Sequence, residues 1–312
     1  MSTARIAVII PCYNEEAAIA QTVRDFRAAL PNAQIYVYDN NSKDATIERA
    51  REAGAIVRRE TRQGKGNVVR RMFADVEADV YVLTDGDDTY DAAAAPDLVR
   101  MVIEEGYDVV TGRRVATGEA AYRPGHVFGN KLLTGLTALM FDVHLKDLLS
   151  GYRVMSRRFV KSFPLTAGGF GIETELTIHA VRLLTPMAEV DTRYKERPAG
   201  SVSKLNTWRD GFRILFTIVA LVREERPLVF FSSIFAVLAL ASIVLGIPVV
   251  IYFLQHGTVP RLPTALLSVA LMLLAFLSLA SGLILDTVTR GRWEQKRTAY
   301  LAIPGPQGLS PP

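Results

Sequence analysis

The chain has one cysteine in 312 residues, Cys12, which excludes an internal disulfide framework and fits a reducing compartment. No histidine is placed to activate that thiol, so it is not read as a nucleophile. The four histidines are scattered, and His144, His179 and His256 lack partners at metal-ligand spacing. No internal repeat occurs, and the only biased stretch is the Pro/Gly tail 304–312, expected to be disordered. Nucleic-acid-binding motifs are missing and the net charge is only +4, so no nucleic-acid partner is expected. MSTARIAVII runs straight into a strand-like segment without a charged-then-apolar leader, so no cleaved signal peptide is expected.

The most telling absence is of charge near the C-terminal end. Residues 228–254 and 262–285 contain no Asp, Glu, Lys or Arg. At about 1.5 Å per residue, each run is long enough to cross a hydrocarbon core of roughly 30 Å. The connection 255–261 is short and carries Gly257 and Pro260, which implies a hairpin of two transmembrane helices. Arg209, Arg213, Arg223 and Arg226 precede the first run, and Arg290, Arg292, Lys296 and Arg297 follow the second, whereas the turn carries only Arg261. That asymmetry predicts an outward turn, with the N-terminal domain and the tail in the cytoplasm of a bacterial-type inner membrane. Residues 204–226 space Trp208, Phe212, Leu215, Phe216, Val219 and Val222 along one helical face, the pattern of an amphipathic helix lying in the interface. The expected organisation is a catalytic domain over 1–203, an interfacial helix over 204–226, a membrane hairpin over 227–286 and a cytoplasmic tail over 287–312. A homo-oligomer is compatible with this layout.

Residues 1–203 alternate strand-like and helix-like runs. Strands are predicted at 5–10, 34–39, 55–57, 80–84 and 108–111, and helices at 15–30, 44–53, 66–76 and 96–105. This alternation implies an α/β domain with a largely parallel sheet, in which ligands gather beyond the carboxyl ends of the strands. Polar clusters follow those ends. The first strand leads into Pro11-Cys12-Tyr13-Asn14-Glu15-Glu16 and the second into Asp39-Asn40-Asn41-Ser42-Lys43-Asp44. Asn14 and Ser42 as helix N-caps are the plainer alternative for either cluster alone, but the two clusters would lie side by side where a nucleoside could dock. Gly64-Lys65-Gly66 offers close backbone approach and a positive charge for a phosphate. It has neither the spacing of a P-loop nor the third glycine of a dinucleotide fingerprint.

The strongest cluster is Thr84-Asp85-Gly86-Asp87-Asp88-Thr89-Tyr90-Asp91, with four carboxylates in seven residues. Hard oxygen donors this close suit Mg²⁺ or Mn²⁺ together with diphosphate oxygens. An acidic turn is the plainer alternative, and the twelve-residue calcium loop with its closing Glu is missing.

In this order and spacing the clusters resemble family 2 glycosyltransferases of GT-A fold. Thr111-Gly112-Arg113-Arg114, Asp147-Leu148-Leu149-Ser150-Gly151-Tyr152-Arg153, the run 169–175 and Arg197-Pro198-Ala199-Gly200-Ser201-Val202-Ser203-Lys204-Leu205 narrow the resemblance. They are similar to the branch holding dolichol-phosphate mannose synthases and bacterial polyprenyl-phosphate glycosyltransferases. The resemblance implies that Pro11, Tyr13, Asn14, Glu15, Asp39, Asn41 and Lys65 bind the nucleotide. It implies that Asp85 and Asp87 hold a divalent cation, with Asp88, Glu173 and Glu175 near the sugar. Arg113, Arg114, Arg153, Ser203 and Lys204 are the implied acceptor-phosphate residues, and Asp85, Asp87, Arg114 and Arg197 the catalytic set. Gly86 in the middle of the Asp-x-Asp pair and the extra Asp88 depart from the family pattern. So does the stretch 123–130, where only Arg123 and His126 stand in for the family's acceptor element.

The expected reaction is inverting transfer from a nucleotide-sugar to polyprenyl phosphate. A lipid phosphate with a second pKa of about 6 is already an effective nucleophile and needs cations around it, not a base. The alternative is transfer to a glycan hydroxyl or a lipid diphosphate-linked sugar, which would need Glu173 or Glu175 as a base.

Overall fold

The protein is described from a computed structural model over residues 4–116, 135, 146–164, 171–195, 216 and 219–305. It divides into two units, residues 1–214 with 296–312, and residues 215–295.

In the first unit the chain runs β1 (Ile6–Cys12), α1 (Ile19–Ala29), β2 (Gln34–Asp39), α2 (Thr46–Glu52), β3 (Ile56–Arg59), α3 (Lys65–Asp75) and β4 (Val80–Leu83). It continues through α4 (Ala95–Ile103), β5 (Val109–Ala116), β6 (Arg153–Ser156), α5 (Arg157–Ser162), α6 (Ile172–Leu183) and β7 (Met187–Tyr194). Among the described residues these strands form one sheet in the order β3-β2-β1-β4-β6-β5-β7. β1 pairs in parallel with β2 and β4, β2 with β3, and β5 with β7, while β6 runs antiparallel between β4 and β5. The sheet is thus mixed, with helices on both faces, in agreement with the expected α/β layer. The central strands β1, β4 and β6 are buried along nearly their whole length, which is why β1 and β4 read as continuous apolar runs rather than as alternating ones.

Both faces of the sheet carry a core. On one, Val8, Ile10, Val37, Val82 and Val154 pack against Ile19, Val23 and Phe26 of α1 and Leu98 and Val102 of α4. On the other, Ala7, Ile9, Tyr81, Leu83 and Met155 pack against Val69, Met72 and Phe73 of α3, Phe159 and Val160 of α5 and Leu176 of α6. With both faces covered, polar loops are left to gather at the strand ends.

The second unit holds two long helices, α7 (Pro227–His256) and α8 (Leu262–Leu301), the last turns of α8 belonging to the first unit. Both are long and apolar enough to cross a membrane, and only 11% and 17% of their most apolar stretches are buried within the chain. A core helix of that length would be buried far more completely. Small residues bring the pair together: Ser242 donates to Ser268 O (2.7 Å) and Ser278 to Phe231 O (3.0 Å). A side chain at Gly282 would meet Phe231 at 2.8 Å, the close backbone approach typical of membrane helix pairs. α8 continues sixteen residues past the predicted end of the apolar run, because polar positions such as Asp286 and Arg290 pair at helical spacing (2.8 Å). Of the expected interfacial helix, the described residues include Phe216 and Val219, both exposed, and the helical turns that follow them. Trp208, Phe212 and Leu215 lie outside the described residues.

Candidate active site

The carboxyl ends of β1 and β2 are neighbours, with Cys12 paired to Asp39. Beyond them the chain turns through Asn14 (φ 52°) and Asn41 (φ 67°), left-handed conformations that Asn adopts more readily than most residues. The two loops are laced together. Asn14 N–H donates to Ser42 Oγ (2.9 Å) and Glu15 N–H to Thr46 Oγ1 (2.9 Å), while Lys43 N–H returns to Asn14 Oδ1 (2.8 Å) and Ala45 N–H to Glu16 (2.9 Å). Asn14 and Ser42 are therefore not helix caps. α1 starts at Ile19, four residues later than its spacing suggests, because Glu15 and Glu16 are held in this lacing. Asp39 is fully buried, and its carboxylate accepts from Asn41 N–H (3.1 Å) and Ser42 N–H (3.2 Å) with Arg59 Nε 3.5 Å away. Pro11 is buried at the end of β1, and Tyr13 and Glu15 sit half-buried just beyond it.

Asn40, which carries no expected role, fastens the next loop. Its Nδ2 donates to Glu60 O and Arg62 O (both 2.8 Å), and its Oδ1 accepts from Gly64 N–H (2.7 Å). Asn41 adds a bond to Thr61 O (2.9 Å). Gly64 needs its positive φ of 126° to make this turn into α3. Lys65, the first residue of α3, then reaches Asp85 Oδ1 (2.5 Å) and Glu173 Oε1 (2.6 Å) with one ammonium. Burial alone would lower the Lys65 pKa, but Asp85 and Glu173 outweigh it and raise it. Burial likewise opposes ionisation of Glu173, and Lys65 reverses it, holding that carboxyl below the usual range.

Asp85 follows β4, and burial pushes its carboxyl up against the opposing pull of Lys65. The Gly86 position explains the departure from the family pattern. A Cβ there would stand 2.5 Å from the Cys12 sulfur, so the buried thiol occupies the space a side chain would need. Asp87 is buried and accepts from Thr89 Oγ1 (2.6 Å). Asp88 turns away at φ 55° towards Lys195 Nζ (3.4 Å). Gly151, of the Ser-Gly-Tyr-Arg element, brings its backbone so close that a Cβ would lie 2.7 Å from Asp85 Oδ2. Its N–H donates to Tyr90 Oη (2.8 Å).

The arginines separate. Consecutive residues of a strand point to opposite faces, and Arg113 pairs with Asp191 while Arg114 pairs with Asp147. Arg114 grips Asp147 through Nε (2.8 Å) and Nη2 (2.7 Å) and lies 5.7 Å over the Tyr194 ring, which in turn packs against Tyr90 of the acidic loop. Arg114 is thus the arginine on the acidic loop's side. Arg153, expected at an acceptor phosphate, is buried and donates to Ser150 O (3.1 Å) and Leu148 O (2.9 Å), bracing the loop from within. Glu175, expected near the sugar, pairs with Arg70 of α3. Two residues apart on α6, Glu173 and Glu175 point about 200° apart, so only Glu173 faces the Lys65–Asp85 cluster. Arg197, Ser203 and Lys204, with Arg123 and His126, lie outside the described residues.

Residues 7–163 match the family described as Glycosyl transferase family 2. The chain belongs to that family. This glycosyltransferase is 31% identical over 301 residues to Glycosyltransferase AglJ of Haloferax volcanii, covering 94% of this chain and 96% of that one. It is 32% identical to a dolichyl-phosphate hexose transferase of the same organism, over 71% of this chain and 95% of the relative. Its fold matches that of glucosyl-3-phosphoglycerate synthase from Mycobacterium tuberculosis, solved with Mn²⁺, uridine-diphosphate and glucosyl-3-phosphoglycerate, at a TM-score of 0.56 and 25% identity over 71% of this chain and 80% of that one.

The residues present fit a divalent cation only in part. Asp85 and Asp87 supply hard oxygens on either side of Gly86, yet among the described residues no three Asp, Glu, His or Cys side chains gather to hold an ion unaided. Two carboxylates leave several coordination positions for a diphosphate and water, the usual arrangement for Mg²⁺ and Mn²⁺.

Proposed function

We propose that this glycosyltransferase transfers a hexose or N-acetylhexosamine from a UDP- or GDP-sugar to polyprenyl phosphate, with inversion at C1, at the cytoplasmic face of a membrane. Pro11, Tyr13, Asn14, Glu15, Asp39 and Asn41 bind the nucleoside. Asp85 and Asp87 hold Mg²⁺ or Mn²⁺, which, when bound, neutralises charge on the departing diphosphate. Arg114 orients the acceptor phosphate, and Arg197, Ser203 and Lys204 close over the phosphates. Phe216 and Val219 lie at the membrane interface, with the hairpin spanning the bilayer and its turn outside.

The observation that carries the choice of acceptor is the state of the carboxylates. Glu173 is bound to Lys65 and held below the usual carboxylate range, and Glu175 is bound to Arg70. Neither is suited to take a proton from a hydroxyl, since a general base works best with a pKa near the operating pH. A phosphate dianion needs no such group. The relatives named as dolichyl-phosphate and undecaprenyl-phosphate sugar transferases support the same reading.

The test is incubation of the purified full chain with polyprenyl phosphate, Mg²⁺ or Mn²⁺ and a panel of nucleotide-sugars. A lipid-phosphate-linked sugar should form with at least one donor and be lost in Asp85→Asn and Asp87→Asn. No such product from any donor, or transfer to a glycan hydroxyl that depends on Glu173, overturns the proposal.

A further inference from the structure

Lys65 stands where its charge bears on the cation site. Its ammonium bridges Asp85 Oδ1 (2.5 Å) and Glu173 Oε1 (2.6 Å), and both ends of that bridge are fixed. On one side the Gly64 turn is tied to Asn40, which sets the start of α3. On the other, Glu173 sits in the first turn of α6, and two residues further on Glu175 binds Arg70 of the same α3. Two ion pairs therefore lace α6 to α3 and aim one cation at Asp85. The other oxygen of Asp85 lies beside the Gly151 backbone.

We infer that Lys65 is a built-in counter-cation that withholds Asp85 from a divalent ion until a diphosphate arrives, so that ion and nucleotide are captured together. An ion approaching Asp85 alone meets a carboxylate already paired with an ammonium in contact with it. Among the described residues it also finds too few further ligands to displace that ammonium. A diphosphate changes both conditions. It brings oxygens that complete the coordination of the ion, and it offers the Lys65 ammonium an anion within reach of its flexible four-carbon arm. As Lys65 turns to the phosphate, Asp85 is released to the ion. The Lys65 side chain is one-third exposed, so its arm is not enclosed on every side. No covalent step is involved; the exchange is one of ionic partners.

This inference rests on the reading that Asp85 and Asp87 hold the ion. It is tested by Mn²⁺ binding to the full chain in detergent, read by electron paramagnetic resonance of free Mn²⁺, with and without UDP. Wild type should bind Mn²⁺ alone at least tenfold more weakly than with UDP. Lys65→Met should bind Mn²⁺ alone at least tenfold more tightly than wild type, while Lys65→Arg, which keeps the cation, should stay within about threefold of it. Wild type taking up Mn²⁺ alone as tightly as with UDP overturns the inference, whatever the variants do. So does a folded Lys65→Met, verified by its thermal transition, whose affinity for Mn²⁺ alone is no higher than that of wild type. Asp85→Asn separates the two failures. If it leaves Mn²⁺ uptake with UDP unchanged, the cation reading itself is wrong; if it abolishes that uptake while Lys65→Met has no effect, only the role of Lys65 is.

Discussion

The base of β5 is held by one buried carboxylate, and removing a single oxygen should reveal how much it contributes. Asp108 has no exposed surface and accepts from Ser156 Oγ (2.5 Å), Arg158 Nε and Nη2 (2.6 Å each) and Tyr300 Oη (2.5 Å). Tyr300 comes from the last turn of α8, 192 residues away, with its ring 4.8 Å from the Arg158 guanidinium. Tyr300→Phe keeps the ring and its cation contact and deletes only the hydroxyl. A hydrogen bond to a charged group contributes about 1.5–3 kcal/mol, and Asp108 would keep its other donors, so a loss of about 2 kcal/mol is expected. At roughly 2–4 °C per kcal/mol for a domain of this size, the transition of the first unit should fall by about 4–8 °C. Differential scanning fluorimetry of the full chain in one detergent measures the shift, and limited proteolysis near residue 300 should quicken in parallel. A midpoint within about 1 °C of wild type, with unchanged proteolysis, would show that the last turn of α8 does not dock through this bond.

Two further perturbations probe buried groups on either side of the sheet. His179 packs against Phe159 and Phe163 and contacts Ser162 Oγ (3.1 Å), and burial, aided by the Lys296 charge, lowers its pKa to about 3. Above an unfolded-state pKa of about 6.5 the ring is neutral in both states, so it adds no pH dependence. Below that value only the unfolded chain takes up the proton, and stability should fall by up to about 1.4 kcal/mol per pH unit as pH drops from 6.5 towards 3. Denaturant midpoints at pH 7, 6 and 5 should show His179→Gln losing this part of the slope; parallel curves for the two proteins would refute it. At Gly86 the added Cβ of Gly86→Ala meets the Cys12 sulfur at 2.5 Å, which should cost about 1–3 kcal/mol and weaken Mn²⁺–UDP uptake by shifting the Asp85–Asp87 loop. Combining it with Cys12→Ala should restore both, and a double variant as impaired as Gly86→Ala would exclude the sulfur as the cause.

The parts legible in the sequence are those governed by local pattern. Alternating apolar runs and helical spacing expose the α/β layer, and the strand-end rule then collects Asp39, Lys65 and Asp85 into one cleft before any coordinate is known. No strand is predicted at 153–156 or 187–194, because Arg153-Val154-Met155-Ser156 carries no apolar run and both strands are set by their pairing in the sheet. A signal for separating Arg113 from Arg114 was present in the alternation of strand residues, and one for separating Glu173 from Glu175 in the helical turn. Arg153 carried no such signal. Its place depends on the carbonyls of Leu148 and Ser150 closing back on it, which sequence spacing does not record. Asn40 carries no signal of its own, because an Asn beside a strand end resembles any turn residue, and its three bonds to the 60–64 loop distinguish it. The Asp108–Tyr300 contact has no sequence signature, since nothing local couples positions so far apart.

The charges around the cleft share a feature that bears on how it would receive phosphates. Lys65 lies on Asp85 and Glu173, Arg114 on Asp147, Lys195 on Asp88 and Arg59 on Asp39. Each of these cations is already matched by a carboxylate. Unmatched cations this close would repel one another and be costly to hold in a partly buried site. Paired, they are held in fixed positions at little electrostatic cost. The consequence for the proposed reaction is that a diphosphate and a lipid phosphate would enter by exchanging partners, each taking a cation from a carboxylate. Arg114 grips Asp147 through both Nε and Nη2, which fixes the plane of its guanidinium. For Lys65, with a single ammonium, any turn towards phosphate loosens its hold on Asp85. The two cations are therefore suited to different tasks. Arg114, held through two nitrogens, is fixed in place, whereas Lys65 can bind an anion only by letting go, as a gate must.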